Sequence, residues 1–377
     1  MKKTWIVIAI VVIVALAALL IITQIKRGAG EIKIGFVNSL TGQYAPYGEN
    51  NWNGVMIAVE EINIAGGING KRINLIVEDD GSTKEGAVFA VKKLIEIDKV
   101  PVIIGPGSTV GVAGTSAIAN KAKVVLFSPG AAGPGITTKG GYVFRNRVSG
   151  DLEAPKIAEY AITALKLKKA AILYPNVDYG VGFKNSFKTK FISSGGEVIT
   201  EETYADNDTD FRSQLNKIKM KSPELVYVLG VPESVGQMLR QAKEIGLKTQ
   251  FISNNVESSK LIEIAKNSAE GLIFPTETYD PNSALERIKQ FEKKYFFKFN
   301  RRSDLFAANG YDAVYIVSQA IEKSGYKGED IKNVLYNLKN FPGVGGNISF
   351  DEKGDVIKPI SIKMVKGGEF KIIEEAK

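Results

Sequence analysis

The chain has 377 residues, with no cysteine and no histidine, and a formal net charge of +8 at pH 7. These counts exclude disulfides, thiolate chemistry, imidazole metal sites and every catalytic triad or pair that needs histidine or cysteine. From Glu31 onward 45 basic residues face 41 acidic ones, a balance of only +4. This charge is too small and too scattered to indicate a nucleic-acid partner.

The N-terminus contains an uncharged apolar segment, residues 5–22, with two lysines before it and Lys26 and Arg27 after it. Eighteen such residues are long for the core of a signal peptide and just long enough to cross a bilayer as a helix. No small-x-small cleavage site follows directly. We therefore expect residues 1–30 to form an N-terminal membrane anchor, with a cleaved signal peptide as the alternative.

Next along the chain, apolar strand-like runs alternate with amphipathic helical stretches. Residues 32–37 predict a buried strand, and apolar side chains spaced i, i+3, i+4, i+7 between Trp52 and Ile62 predict a helix with one packed face. Further strands are expected in INLIVEDD, PVIIG and KVVLFSP. This alternation predicts right-handed βαβ units and a parallel sheet covered by helices on both faces.

The same alternation starts again with five more strand-like runs, beginning at KAAILYP and ending at EGLIFP. Two open sheets of this kind predict two lobes in place of one long sheet. The tail differs, because residues 282–338 are mostly helical and short strands with glycine turns follow them. Helices with no strand between them indicate that the chain returns to cover the first lobe.

A small polar loop, residues 105–109, follows the strand PVIIG and opens a helix. Ser108 and Thr109 there predict helix caps, and the free N–H groups of a helix start also favour binding of a negative group. Open α/β sheets bind ligands at this end of their strands. The Gly-x-Gly-x-x-x-Gly spacing, with no acid about twenty residues on and no Gly-Lys-Ser/Thr, disfavours a nucleotide site.

Other loops at predicted strand ends carry further candidates. The loop 128–135 holds Gly130, Ala131 and Ala132, small residues that let a ligand approach the backbone, although a plain turn is the alternative. Tyr179 follows the first strand of the second half and either lines a site or only packs. Asn255 and Glu257 follow TQFIS and are either site residues or ordinary surface residues.

The candidates include no nucleophile–base pair. Asp79 and Asp80 have no second carboxylate cluster to join them, so a capping and solvation role is expected for both. The sequence therefore predicts a binding protein that is not an enzyme and that has no metal and no cofactor.

Several stretches resemble the branched-chain-amino-acid-binding proteins of ABC importers, from about Ile32 to the C-terminus. They include SLTGQYAPYG, NIAGGINGKRINLIVEDD, IIGPGSTVGVAG, SPGAAGPG and GQMLRQAKEIGLKTQFIS. The resemblance implies the type I periplasmic-binding fold, an α/β architecture of two Rossmann-like lobes with parallel sheets.

In that family the chain passes between the lobes three times, here expected near residues 149–154, 275–281 and 345–350. The first lobe would hold residues 31–150 and 278–347. The second would hold residues 151–277 and 348–377.

The resemblance also assigns roles within the cleft. The loop with Ser108 and Thr109 would hold the carboxylate of the ligand, and Tyr47 and Phe306 would line its side-chain pocket. Tyr179 would be an aromatic residue of the second lobe.

Three positions depart from the family pattern. Ala132 stands where a threonine helps to bind the ammonium group of the ligand, Asn255 where an acid pairs with it, and Val231 where the second lobe has an aromatic residue. An unpaired buried ammonium is costly. Either Glu257 replaces the missing acid or the ligand is not an α-amino acid.

Taken together, these features predict an extracytoplasmic solute-binding protein that captures a small amino acid or carboxylate between two lobes. Its expected partners are an ABC permease and ATPase complex and, through the N-terminal helix, the membrane. A ligand-sensing receptor for an amide or organic acid is the alternative. The expected ligand-binding residues are Tyr47, Ser108, Thr109, Gly130, Ala131, Ala132, Tyr179, Asn255, Glu257 and Phe306.

Overall fold

The computed structural model describes residues 30–277 and 279–375. The N-terminal helix predicted for residues 5–22 lies outside these ranges. Within them, no helix combines the length and the apolar character that a membrane crossing requires.

The first sheet contains five parallel strands in the order β2-β1-β3-β4-β5, as the alternating pattern predicts. Every residue of β3 and β4 is buried, which explains why these strands are apolar without alternation. The strands are β1 (Glu31–Asn38), β2 (Arg72–Asp79), β3 (Val102–Ile104), β4 (Val125–Ser128) and β5 (Val143–Arg145), and the helices between them are α1 (Ala45–Ile64), α2 (Lys84–Glu96) and α3 (Thr109–Ala122).

The second sheet contains seven strands in the order β15-β14-β10-β9-β8-β6-β7, of which β6 to β10 run parallel and β14 and β15 are antiparallel additions. The strands are β6 (Lys169–Pro175), β7 (Glu197–Tyr204), β8 (Leu225–Val228), β9 (Gln250–Ser253), β10 (Ile273–Glu277), β14 (Ile360–Lys366) and β15 (Glu369–Glu374). The helices are α4 (Gly150–Thr163), α5 (Asp178–Ser193), α6 (Arg212–Met220), α7 (Pro232–Glu244) and α8 (Ser259–Ala265), with a 3-10 turn at Lys266–Ser268.

The predicted helical return to the first lobe is confirmed. The helices are α9 (Glu286–Phe299), α10 (Leu305–Ser324) and α11 (Gly328–Tyr336). Helix α10 packs closely on α1, since a Cβ atom on Gly54 would lie 1.9 Å from the carbonyl oxygen of Ala307. Across the same contact, the hydroxyls of Tyr311 and Tyr315 both donate to Glu61 at 2.7 Å.

The third crossing lies later in the chain than the sequence predicts. Residues after 347 were expected in the second lobe, but β11 (Phe341–Gly343), β12 (Gly346–Phe350) and β13 (Val356–Ile357) form a small antiparallel sheet that packs on the first. The ring of Phe350 meets those of Phe127 and Phe144 edge-on, with centroids 5.7 and 5.5 Å apart. This aromatic contact keeps the segment on the first lobe, and the chain crosses between β13 and β14, at Lys358.

Phe350→Ala should lower the free energy of unfolding by about 3–5 kcal/mol, because it removes a fully buried ring and leaves a cavity. Urea unfolding measures the loss. Ile357→Ala is the matched control, since Ile357 lies in the same small sheet with 55% of its surface exposed, and it should cost less than about 0.5 kcal/mol. Equally small losses in the two variants would contradict the packing of this segment on the first lobe.

Candidate functional site: the cleft between the lobes

The carboxyl ends of the parallel strands of both lobes border one cleft of about 1270 Å³. Pockets for small molecules usually measure about 300–1,000 Å³, so the cleft has room for an amino acid or a somewhat larger ligand. Nine of the ten residues expected at the site are Tyr47, Ser108, Thr109, Gly130, Ala132, Tyr179, Asn255, Glu257 and Phe306, and all nine line this cleft.

The start of helix α3 forms one wall of the cleft. The Ser108 hydroxyl accepts a hydrogen bond from the N–H of Gly111 at 3.2 Å, and the Thr109 hydroxyl accepts one from the N–H of Gly133 at 3.0 Å. Ser108 therefore caps helix α3, and Thr109 connects the start of that helix to the neighbouring loop. Each hydroxyl can still donate one hydrogen bond, and the first N–H groups of a helix have no partner within it. This wall offers donors to a negative group.

The neighbouring loop comes close to the start of α3. Gly130 must be glycine, because a Cβ atom there would lie 2.5 Å from the carbonyl oxygen of Gly107. Ala131 does not line the cleft: its side chain is 1% exposed and lies in the core of the first lobe, and its carbonyl accepts from Arg145. The tenth expected residue thus supports the loop from behind.

Aromatic side chains form the walls on both sides. On the first lobe, the rings of Tyr47 and Phe306 are in contact with centroids 5.0 Å apart. On the second, Tyr179 packs on Phe183 at 4.6 Å. Burial, followed by the charge of Glu233, raises the pKa of the Tyr47 hydroxyl, so this group stays protonated and donates to Glu233 at 3.1 Å across the cleft.

Asn255 and Glu257, the amide and the acidic candidate of the second lobe, have different neighbours. Asn255 follows Asn254, whose amide bonds to both the N–H and the carbonyl of Gly230 and ties the ends of β8 and β9 together. Glu257 lines the cleft but is paired with Lys363 at 2.5 Å and accepts from the Thr276 hydroxyl at 3.2 Å. A ligand ammonium would have to compete with Lys363 for this carboxylate.

Two further contacts across the cleft were not predicted. Asp206 of the second lobe accepts from Gln43 at 2.7 Å and from the hydroxyl of Tyr44, and Glu233 accepts from Tyr47 as described above. The sequence contained only a weak signal for Glu233, an acid in the first turn of a helix that begins with a proline. Partners from separate lobes lie more than 160 residues apart in the chain, so spacing could not reveal them.

At the base of the cleft, one carboxylate joins the three crossings. Glu277, at the end of β10, accepts from Arg147, from the N–H of Val148 at 2.7 Å and from Lys358 at 3.0 Å. Arg147 also donates to Glu153 at 2.6 Å. Burial alone would raise the pKa of Glu277, but the cations of Lys358 and Arg147 hold it below its usual value.

The arrangement is suited to binding. Among the residues that the structure describes, no group of three or more acidic side chains is placed to hold a metal ion. The cleft combines hydrogen-bond donors on one wall, aromatic rings on both sides and carboxylates on the second lobe. It can hold a small ligand with a negative group at the start of α3.

Comparison with known proteins agrees with this geometry. Residues 31–369 match the family model described as periplasmic binding protein. Because the match covers nearly all of the chain, the protein belongs to the periplasmic binding protein family.

Individual relatives match over similar lengths. The chain is 29% identical over 337 residues to a leucine-, isoleucine-, valine-, threonine- and alanine-binding protein of Pseudomonas aeruginosa, covering 88% of each chain. Its fold matches a leucine-binding protein of Thermotoga maritima with a TM-score of 0.85 at 28% identity, covering 92% of this chain and 99% of that one. It also matches a branched-chain amino acid transporter substrate-binding protein of Streptococcus pneumoniae, in complex with isoleucine, with a TM-score of 0.82 at 30% identity and 91% and 99% coverage. The expected type I periplasmic-binding fold is therefore confirmed.

Thr109→Val should lower the free energy of unfolding by about 1–3 kcal/mol, because it leaves the buried N–H of Gly133 without an acceptor. Thr109→Ser keeps the hydroxyl and should cost at most about 1 kcal/mol for the lost methyl group. Thermal and urea unfolding of the two variants measure the difference. Equal losses would show that the contact with Gly133 contributes nothing.

Glu277→Gln should lower the free energy of unfolding at pH 7 by about 3–5 kcal/mol, since it leaves Arg147 and Lys358 buried without their shared partner. The folded-state pKa of Glu277 is below its unfolded value, so its contribution is present above the unfolded pKa and is lost as pH falls through the folded one. The deficit of the variant should therefore shrink in acid.

Glu263→Gln, which removes an exposed partner of Lys260, is the control for Glu277→Gln and should cost less than about 1 kcal/mol at either pH. A deficit for Glu277→Gln that stays constant from pH 7 into acid would contradict the role given to its charge.

Proposed function

We propose that this protein is an extracytoplasmic solute-binding protein of an ABC importer, which closes its two lobes on a small amino acid or carboxylate. The observation that carries the proposal is the cleft itself, lined by both lobes and bordered by the capped start of α3. The named ligands of the relatives, leucine, isoleucine, valine, threonine and alanine, give the first candidates.

The polar end of the ligand belongs at the start of α3. A carboxylate there would accept from the Ser108 and Thr109 hydroxyls and from the free N–H groups of the first turn, and the helix dipole would favour its charge. Charge-assisted hydrogen bonds of this type are about twice as strong as neutral ones.

The apolar part of the ligand belongs between the aromatic walls. Tyr47 and Phe306 on one lobe and Tyr179 on the other offer apolar ring surface, and Trp52 also lines the cleft. A side chain enclosed there leaves water, which stabilises the complex in proportion to the apolar area buried. Aliphatic side chains of moderate size fit this description.

The proposed function also includes a partner complex in the membrane and a location at the membrane surface. After loading, the closed form would be delivered to a permease and ATPase complex in the membrane, and the protein itself would carry out no chemical reaction. The apolar N-terminal segment would hold it at the outer face of the membrane. These parts rest on the family and on the sequence of residues 1–30.

Addition of L-leucine, L-isoleucine, L-valine, L-threonine or L-alanine at millimolar concentration should raise the melting temperature, because a ligand that binds only the folded state stabilises it by mass action. At a concentration one hundred times Kd the gain is about 2.7 kcal/mol. Titration calorimetry on the same protein then gives the affinity of each amino acid. No shift with any of the five, nor with simple carboxylates, would contradict the proposed function.

A further inference from the structure

Glu233 stands apart from the other acids of the second lobe that line the cleft. Glu257 is paired with Lys363, and Glu277 with Arg147 and Lys358. Glu233 accepts a hydrogen bond from the neutral Tyr47 hydroxyl, and no lysine or arginine within the described ranges forms a salt bridge with it. The exposed Lys260 interacts with it electrostatically but forms its salt bridge with Glu263. Its negative charge is therefore available to a cation in the cleft.

Two other acids that line the second-lobe side are less suited to a ligand. Asp178 is exposed to solvent, where water screens its charge. Asp206 is occupied by Gln43 and Tyr44 in a contact that links the two lobes. Glu233 is half-buried and has one carboxylate oxygen, Oε1, beyond the one that Tyr47 uses.

Glu233 and Asn255 line the same cleft and follow strand ends that are tied together. The amide of Asn254 holds the end of β9 against Gly230 through hydrogen bonds of 3.1 and 3.2 Å, and Glu233 follows Gly230 by three residues. The loops after β8 and β9 therefore form one continuous surface. Helix α7 begins at the end of the first of these loops, so its first turn, with Glu233, borders the same cleft as Asn255.

Glu233 is also held close to the ligand pocket of the first lobe. Tyr47, its hydrogen-bond partner, packs on Phe306, and both rings line the cleft. Glu233 lies in the first turn of α7, a position where helices favour acidic side chains. Glu233 therefore brings a negative charge close to the aromatic pocket of the first lobe.

We propose that Glu233 binds the ammonium group of the ligand and makes the cleft selective for α-amino acids over the matching acids that lack the amine. This inference rests on the proposed function. It assigns to the first turn of α7 the charge that Asn255, in the loop after β9, does not carry. The carboxylate of the ligand would lie at the start of α3 and the ammonium at Glu233, so that the zwitterion spans the two lobes.

The test compares Glu233→Gln with wild-type protein, using L-leucine and 4-methylpentanoate, the same molecule without its amine. The variant has nearly the same shape, and its amide oxygen can still accept from Tyr47. Calorimetry should show that the affinity for L-leucine falls about 10- to 100-fold, the worth of one charge-assisted hydrogen bond, while the affinity for 4-methylpentanoate does not fall. Glu244→Gln, at the exposed far end of the same helix, should change neither affinity.

Several other results would overturn the inference. An equal loss for both ligands, or no loss for L-leucine, would overturn it, because Glu233 would then act only through its contact with Tyr47. Loss of selectivity in Glu257→Gln but not in Glu233→Gln would overturn it in favour of the other acid. If wild-type protein binds 4-methylpentanoate but none of the five amino acids, the inference fails while ligand capture stands; if it binds neither class, both fail.

Thermal unfolding shows whether each variant is folded before its affinity is interpreted. Glu233→Asp is a second variant that keeps the negative charge. It should retain a preference for L-leucine over 4-methylpentanoate, smaller than that of wild-type protein because its side chain is one methylene shorter. The inference would be overturned if Glu233→Asp folded but lost the whole preference while Glu233→Gln kept the preference unchanged.

Discussion

The carboxylate of Glu277 is the interaction on which the two-lobed arrangement depends, because it touches all three crossings at once. It takes hydrogen bonds from the first crossing through Arg147 and Val148 and from the third through Lys358, and it lies itself at the start of the second. Lys358 also donates to the carbonyl of Asn146 at 2.8 Å. Removing one charge from this buried group would leave the others uncompensated, so the crossings are held together as a unit.

This unit sits at the base of the cleft, so the geometry of the hinge and the geometry of the site are linked. Arg147 and Glu277 both line the cleft as well as joining the crossings. The mouth of the cleft is spanned by different contacts, those of Asp206 with Gln43 and Tyr44. The lobes are therefore joined by buried charged groups at the base of the cleft and by more exposed polar contacts at its mouth. The space for the ligand lies between these two sets of contacts.

The two walls of the cleft offer different polar groups near the proposed ligand position. The first lobe presents hydroxyls and N–H groups at the start of α3, and the second presents the carboxylate of Glu233, which forms no salt bridge with a described lysine or arginine. A ligand with a negative and a positive end would be oriented by this asymmetry. An apolar side chain would lie between Tyr47, Phe306 and Tyr179.

By itself the sequence determined the two α/β lobes, the helical return and nine residues that line the cleft. It could do so because hydrophobic periodicity is a local property, and because loops that follow parallel strands meet at one sheet edge. It did not determine the third crossing, the buried position of Ala131, the pairing of Glu257 with Lys363 or the contacts of Glu233. Each of these depends on partners brought together from distant parts of the chain. Only the tertiary structure decides on which lobe Phe350 packs and which carboxylate of the cleft lacks a salt bridge. The reason is that packing and ion pairing depend on neighbours in space.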